Sequence, residues 1–143
     1  EKWVNTLIET NDWGVGMTHG LTYGYDAFRN PQRLWDHLDQ VKARENEIWV
    51  GTFREVVSYI KEREETKLEV VNKKNTLLIA PELKLDQELF VEPLTMVITG
   101  KEIKKVTVKQ GKRRLPVQIT DDKVLFDFDP YGGMIKVTLK IQK

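Results

Sequence analysis

The chain has 143 residues, with 40% hydrophobic and 31% charged side chains and a formal net charge of +1. This composition is typical of one ordinary folded domain or two small ones, and it excludes a disordered chain. No apolar stretch approaches the roughly 18 residues of a membrane-spanning helix, so no membrane span is expected. The absence of cysteine excludes a disulfide framework and a thiolate zinc site.

The small net charge conceals a difference between the two halves of the chain. Residues 1–65 hold 8 basic and 12 acidic side chains, a net of −4, whereas residues 66–143 hold 15 basic and 10 acidic ones, a net of +5. The hydrophobic pattern changes at the same place, from helical spacing to alternation with period two. We therefore predict a domain boundary within residues 63–67, which gives two domains, 1–65 and 66–143.

Three helices are predicted in the first half. The apolar face of the first is formed by Trp3, Val4, Leu7 and Ile8. The second extends over about residues 31–45, with Asn30 as its N-cap and Pro31 at its first position. The third begins at Thr52 and Glu55, which match a capping box because each side chain can satisfy a first-turn amide.

Two short apolar runs, residues 13–18 and 48–50, are predicted as buried strands, and a loop over residues 20–29 follows the first. Short strands alternating with helices are typical of a parallel sheet covered on both faces. Two strands cannot complete such a sheet, so we predict that residues 1–65 are the C-terminal part of a larger α/β domain. Four tryptophans are assigned to its core: Trp3, Trp13, Trp35 and Trp49.

The second half contains seven segments in which apolar and polar residues alternate. Their apolar positions are Leu68/Val70, Leu77/Ile79, Leu94/Met96/Ile98, Val106/Val108, Leu115/Val117/Ile119, Val124/Phe126/Phe128 and Ile135/Val137/Leu139/Ile141. Turn signals separate them, including Asp121-Asp122 and the run at residues 130–133. This pattern predicts a small antiparallel β-sandwich with its own core. The predicted fold is therefore an α+β chain in two parts.

Several motifs together resemble the C-terminal end of polysaccharide deacetylases with the NodB-type (β/α) barrel. They are Gly16-Met17-Thr18-His19-Gly20, Tyr23-Gly24-Tyr25, Trp35-Asp36-His37-Leu38, and Glu47 to Phe53 with Tyr59-Ile60. The segments at residues 106–111 and 128–133 resemble the β-sandwich appended to some bacterial members. The resemblance spans most of the chain, and the order of its pieces is more specific than any one motif.

The resemblance implies a metal-dependent carbohydrate esterase. In that family an Asp-His-His set binds a divalent metal, zinc or a similar ion, an aspartate acts as base, and a later histidine protonates the leaving group. Only the last role maps onto this chain, at His19. Met17 stands where the family usually has a leucine of the acetate pocket, and Tyr23 and Tyr25 are candidates for stacking on a sugar ring. No residues here match the metal set or the base, so this chain by itself is expected to hold no metal.

Less specific interpretations apply to the same residues. Without the resemblance, His19 would be interpreted as a strand-end histidine bonded to the backbone, and Tyr23 and Tyr25 are equally suited to packing on a barrel rim. His37 is predicted to have a structural role. The basic side chains at positions 101, 104, 105, 109 and 112–114 suggest an anionic polysaccharide or nucleic acid. We interpret them as a solvated strand face, because no aromatic residue is interleaved to stack bases, and no nucleic-acid partner is expected.

Two function classes remain open. The first is a fragment of a metal-dependent polysaccharide deacetylase, inactive alone, whose partners would be an acetylated polysaccharide or oligosaccharide and the missing N-terminal barrel fragment or a self-associated copy. The second is a non-catalytic carbohydrate-binding or interaction module built on the sandwich. A periplasmic, cell-surface or secreted location follows only if the family resemblance holds.

Overall fold

The computed structural model describes residues 2–25, 27–100, 103–120 and 122–141. The chain is an α+β protein with three helices and antiparallel sheets in these ranges. It divides into two compact units, Glu1–Phe53 and Arg54–Lys143. The described residues form no barrel. None of the helices in these ranges has the length and apolar character needed to cross a membrane.

The helices are α1 (Lys2–Thr10), α2 (Gln32–Lys42) and α3 (Phe53–Glu65). All three lie where the hydrophobic spacing predicts a helix. The N-cap of α2 is Pro31, one residue after the predicted Asn30, whose Oδ1 atom nevertheless accepts a hydrogen bond of 3.0 Å from the backbone N–H of Gln32. Helix α2 is shorter than expected, because its C-cap residue is Ala43 and residues 44–47 form turns.

The two predicted strands of the first unit, residues 13–18 and 48–50, are not strands. Neither segment joins a ladder with another part of the described chain. A β-strand is stabilised by hydrogen bonds to a neighbouring strand, and an apolar run without such a neighbour has no reason to adopt regular pairing. A short apolar run therefore does not by itself predict a strand at these positions.

The four tryptophans do not lie in a core formed by the described residues of the first unit. Trp3, Trp13, Trp35 and Trp49 all remain between 44% and 55% exposed. Among the described residues of the first unit, Val4 is the one hydrophobic side chain that is fully buried. Two short helices and irregular segments do not provide enough surface to cover large aromatic side chains.

The described residues of the second unit form eight strands in two antiparallel sheets. The strands are β1 (Lys67–Lys73), β2 (Thr76–Glu82), β3 (Leu94–Thr99), β4 (Ile103–Gln110), β5 (Arg113–Leu115), β6 (Gln118–Ile119), β7 (Lys123–Phe128) and β8 (Ile135–Ile141). The five-stranded sheet has the order β1-β2-β8-β4-β5, and the three-stranded sheet has the order β3-β7-β6. The last strand in the chain thus pairs with β2 and β4 in the middle of the larger sheet.

The core of the second unit lies between its two sheets. The larger sheet contributes Ile79, Val106, Val108, Leu115, Ile135 and Val137, and the smaller one contributes Leu94, Val124, Phe126 and Phe128. Tyr59 of α3 packs against this cluster. Inward positions alternate with outward ones along β7, as the period-two pattern predicts, whereas every residue of β1 is exposed, including Leu68 and Val70. The predicted antiparallel pairing of the second half is confirmed for the described strands.

One predicted strand is divided in the structure. Residues 115–119 were expected to form a single strand, but Leu115 ends β5 in the larger sheet and Gln118 begins β6 in the smaller one. Pro116 lies between them and has no backbone N–H to donate to a ladder. The chain therefore crosses from one sheet to the other at this proline. Asp121 of the following predicted turn lies outside the described residues.

The division between the two compact units falls between Phe53 and Arg54, whereas the domain boundary predicted from the sequence lies within residues 63–67. Nearly all of α3 belongs to the second unit, since that unit begins at Arg54. The change in hydrophobic period coincides with the end of α3 at Glu65 and the start of β1 at Lys67. A helix can join the core of the sheet that follows it, as Tyr59 does here.

Candidate functional site

His19 lies at a tight corner that follows the apolar segment of the first unit. The Thr18 hydroxyl donates a hydrogen bond of 2.9 Å to the carbonyl oxygen of Gly20. A Cβ atom at Gly20 would lie 2.2 Å from the carbonyl oxygen of Tyr23, so no side chain fits there. The close approach of these two backbones explains the glycine after His19. The corner predicted from the sequence exists, although the strand before it does not.

The imidazole of His19 is exposed and lies against the ring of Tyr25, with the ring centroids 6.0 Å apart and the planes at 69°. This is an edge-to-face aromatic pair. The structure therefore brings together two of the four predicted site residues. Met17 and Tyr23 are 84% and 88% exposed, so neither side chain is packed.

The corner offers a proton-transfer group and an aromatic face. An exposed imidazole is accessible to the oxygen or nitrogen atom of a ligand, to which it can donate a proton. Tyr25 is 80% exposed, which leaves most of its ring free to contact a sugar. The residues described here do not include any cluster of three or more His, Cys, Asp or Glu side chains that could hold a metal ion. At this corner the described residues thus combine an exposed imidazole with an exposed aromatic ring.

His37 has the structural position predicted for it. It lies on α2, is half-buried, and its ring centroid is 6.2 Å from that of Trp3 on α1. This contact joins the two helices of the first unit. The two histidines of the chain therefore differ, because His37 packs between helices while His19 faces solvent.

Arg44 also connects the two helices of the first unit. Its Nε and Nη2 atoms donate hydrogen bonds of 3.1 and 3.0 Å to the carboxylate of Glu47, and its Nη1 atom donates to Oδ1 of Asn5. The hydrogen bond from Arg44 lowers the pKa of Glu47 below its ordinary value. A bidentate guanidinium is suited to this bridging position because its donors are held in one plane.

Glu62 of α3 is a chemically unusual group that the sequence analysis missed. Its side chain is 0% exposed, its Oε1 atom accepts a hydrogen bond of 3.0 Å from the backbone N–H of Glu92, and its Oε2 atom has no hydrogen-bond partner. Burial raises the pKa of Glu62, and the nearby carboxylates of Glu92 and Asp129 raise it further, against the effect of the Glu92 N–H.

The helical spacing of α3 contained the signal that would have found Glu62. Glu62 is one turn after Ser58, which is also buried, and three residues after Tyr59, which packs against the core. In the sequence, however, Glu62 stands within a run of charged residues, 61–65, which is normally a solvated helix face. The helix position, not the residue type, decides its burial.

Gln110 is a second buried polar residue that the sequence analysis did not single out. It lies on the same face of β4 as Val106 and Val108, and both valines point into the core. Its amide is hydrogen-bonded to the turn after β7, at Asp129 and Gly133. Parity along the strand predicts the burial of Gln110, but the sequence does not identify its distant partners.

Comparison of the chain with protein-family models, with curated proteins and with solved structures finds no match.

Proposed function

We propose that this chain is the C-terminal part of a metal-dependent polysaccharide deacetylase, an esterase that removes acetyl groups from a glycan. The proposal rests on the sequence resemblance of residues 16–20, 23–25 and 47–53 to that family. The observation that supports it best is the exposed His19 at its glycine-bounded corner, in edge-to-face contact with Tyr25. A general acid must be accessible to the leaving group, and His19 meets this requirement whereas His37 does not.

The proposed role of His19 is to donate a proton to the leaving amine or alkoxide of the substrate. Tyr25 would limit the orientations of the imidazole through its ring and would present its exposed face to a sugar ring. Met17 and Tyr23 are proposed contacts to the acetyl group and the glycan, since both are exposed beside the same corner. The described residues of this chain do not fit a metal ion, so these roles do not include any step at a metal.

The apolar surface of the first unit favours a larger domain around it. Large side chains that a complete domain would bury are exposed: Trp3, Trp13, Val15, Trp35, Trp49, Val50 and Phe53. Exposed apolar surface on this scale is typical of an interface. The proposed deacetylase barrel would bury these side chains. Alternatively, a second copy of the chain would bury them by self-association.

The sequence encoded upstream of Glu1 provides the direct test of this proposal. A deacetylase would have a Thr-Phe-Asp-Asp-like strand end and a His-x-x-x-His motif there. If both are present, His19→Ala in the longer polypeptide should reduce acetate release strongly while its bound metal stays unchanged. Absence of both motifs would refute the proposal, and an unchanged rate in His19→Ala would remove His19 from the mechanism.

A second function class has its own supporting observation. The sandwich has a core formed by both of its sheets, so it is organised as an independent module. Such a module would act as a non-catalytic carbohydrate-binding or interaction domain. Acetate release by the longer polypeptide would favour the first proposal, whereas glycan binding without turnover would favour the second.

A further inference from the structure

The outward face of the five-stranded sheet contains a row of three cations on three adjacent strands. Lys109 of β4 is paired directly with Arg114 of β5 on one side and with Lys136 of β8 on the other. All three residues are exposed. Adjacent strands lie about 4.8 Å apart, so the row is about 10 Å long. We call Lys105, Lys109, Arg114 and Lys136 the cationic face, because Lys105 points to the same side of β4.

Strand parity places these side chains on the solvent side of the sheet. Lys105 and Lys109 alternate along β4 with Val106 and Val108, which are buried in the core. Lys136 stands between two fully buried residues of β8. The direction of the cationic side chains therefore follows from the burial of their neighbours.

Among the described residues, no ion pair neutralises the three cations of this row. The outward positions of β4, β5 and β8 contain no acidic residue, and the acidic residues of this face lie on β1 and β2, at Glu69 and Glu82. None of the ion pairs found among the described residues includes Lys109, Arg114 or Lys136. Like charges placed directly opposite each other on adjacent strands destabilise a sheet. An anionic ligand would relieve this repulsion.

A row of hydroxyl groups lies beside the row of cations. Thr107 of β4 is paired with Thr138 of β8, which is paired in turn with Thr76 of β2. This row is two residues along the strands from the cations, a separation of about 7 Å. The sheet therefore presents fixed cations next to neutral hydrogen-bonding groups, which is the combination that a sugar polymer with acidic substituents requires.

We propose that the cationic face of the sandwich binds an anionic polysaccharide, whose carboxylate or sulfate groups contact Lys109, Arg114 and Lys136. This goes beyond the proposed deacetylase activity and does not depend on it, because every residue involved lies in the second unit. From the sequence alone, the basic residues between positions 101 and 114 were interpreted as a solvated strand face. The proposal replaces that interpretation with a binding role for Lys109 and Arg114. Lys101 and the side chain of Lys104 lie outside the described residues, and the proposal does not use them.

The shape and composition of the face favour a glycan over a nucleic acid. Proteins that bind single-stranded nucleic acids stack the bases on aromatic side chains. The outward positions of β4, β5 and β8 hold lysine, arginine and threonine but no aromatic residue. Recognition of duplex DNA by a helix or a β-ribbon requires an element that enters a groove, and an extended sheet face does not. The sheet face fits an extended polymer that is bound through its charges and hydroxyls.

Binding of defined polymers to the full chain tests the proposal. Titrations with polygalacturonate and with dextran sulfate distinguish carboxylate from sulfate recognition, neutral dextran tests the need for charge, and duplex DNA tests the other class of polyanion. We expect at least one anionic glycan to bind at low ionic strength, neutral dextran not to bind, and added salt to weaken the complex. The triple variant Lys109→Gln, Arg114→Gln, Lys136→Gln should bind about tenfold more weakly, because charge neutralisation dominates polyanion affinity.

A matched triple variant removes three positive charges elsewhere in the second unit, at exposed residues that take part in none of the ion pairs found among the described residues: Arg54→Gln, Arg63→Gln and Lys123→Gln. Its affinity should change by no more than about twofold if the site is local. An equal loss in both variants would mean a general charge effect and would overturn the proposal. Absence of binding to both anionic glycans, or tighter binding to DNA than to either, would also overturn it. Lys109→Gln alone serves as the test if the triple variant does not fold.

Discussion

Gln110 and Asp129 are joined by two hydrogen bonds across the end of the sandwich. The Nε2 atom of Gln110 donates to the carbonyl oxygen of Asp129 at 2.6 Å, and its Oε1 atom accepts from the backbone N–H of Asp129 at 3.1 Å. Nε2 also donates to the carbonyl of Gly133 at 3.2 Å. One buried side chain of β4 thus satisfies the backbone of the turn between β7 and β8, where no sheet ladder can reach it.

Removal of this amide should destabilise the second unit. We expect Gln110→Ala to lower the free energy of unfolding by about 1–3 kcal/mol, because the part-buried backbone N–H of Asp129 loses its acceptor, while the Asp129 carbonyl keeps only its bond from the Gly132 N–H. Urea denaturation of the full chain measures the change. Gln118→Ala is the control, because Gln118 is exposed on β6. Equal effects of the two substitutions would show that the hydrogen bonds of Gln110 do not contribute.

Gly132 should be intolerant of a side chain for the same reason. A Cβ atom at this position would lie 2.6 Å from Nε2 and 2.7 Å from Cδ of Gln110. Gln110 cannot move away without breaking its bonds to the turn, so we expect Gly132→Ala to cost about 1–3 kcal/mol. The same substitution in a Gln110→Ala background should cost much less. If the two changes are additive in denaturation experiments, the collision with Gln110 is not the cause.

Glu62 should make the stability of the second unit depend on pH. Because burial raises its pKa in the folded protein above the ordinary value of 4.5, folding is favoured when Glu62 is protonated. Its contribution is fully present below pH 4.5 and is lost as pH rises through the higher folded-state pKa. Glu62→Gln keeps an oxygen that accepts from the Glu92 N–H but does not ionise. The stability of this variant relative to the native chain should therefore increase with pH.

Thermal melts of the native chain and Glu62→Gln over a series of pH values measure this difference. Glu64→Gln is the matched control, because Glu64 is an exposed residue of the same helix. Its difference from the native chain should change little with pH. A difference between Glu62→Gln and the native chain that stays constant across the series would contradict the assignment.

The purified 143-residue chain should not be an esterase by itself. Since the part of the chain that the structure describes has no cluster of potential metal ligands, we expect no stoichiometric zinc binding in calorimetry. We also expect no acetate release from a chitooligosaccharide or from acetylxylan, with or without added zinc. Acetate release that disappears in His19→Ala would show that the chain contains a complete active site, contrary to this expectation.

Local sequence patterns predict strands well in the second half of the chain and poorly in the first, for a physical reason. In β4 and β8, alternation of apolar and polar residues predicts the strand and its buried face, because side-chain direction in a strand is a local property. In residues 13–18 and 48–50 the same type of apolar run has no paired neighbour and forms no strand. The glycine-bounded corner at His19 was predictable, since it depends on residues close together in the chain.

The sequence by itself determined the three helices, most of the strands, the excess of positive charge in the second half and the exposed corner at His19. Only the tertiary structure decided that β8 lies between β2 and β4, which places Lys136 beside Lys109, and that Gln110 meets Asp129. It also decided that Glu62 is buried within a charged run. Local periodicity sets the direction of each side chain, but the choice of partner depends on packing between residues that are distant along the chain.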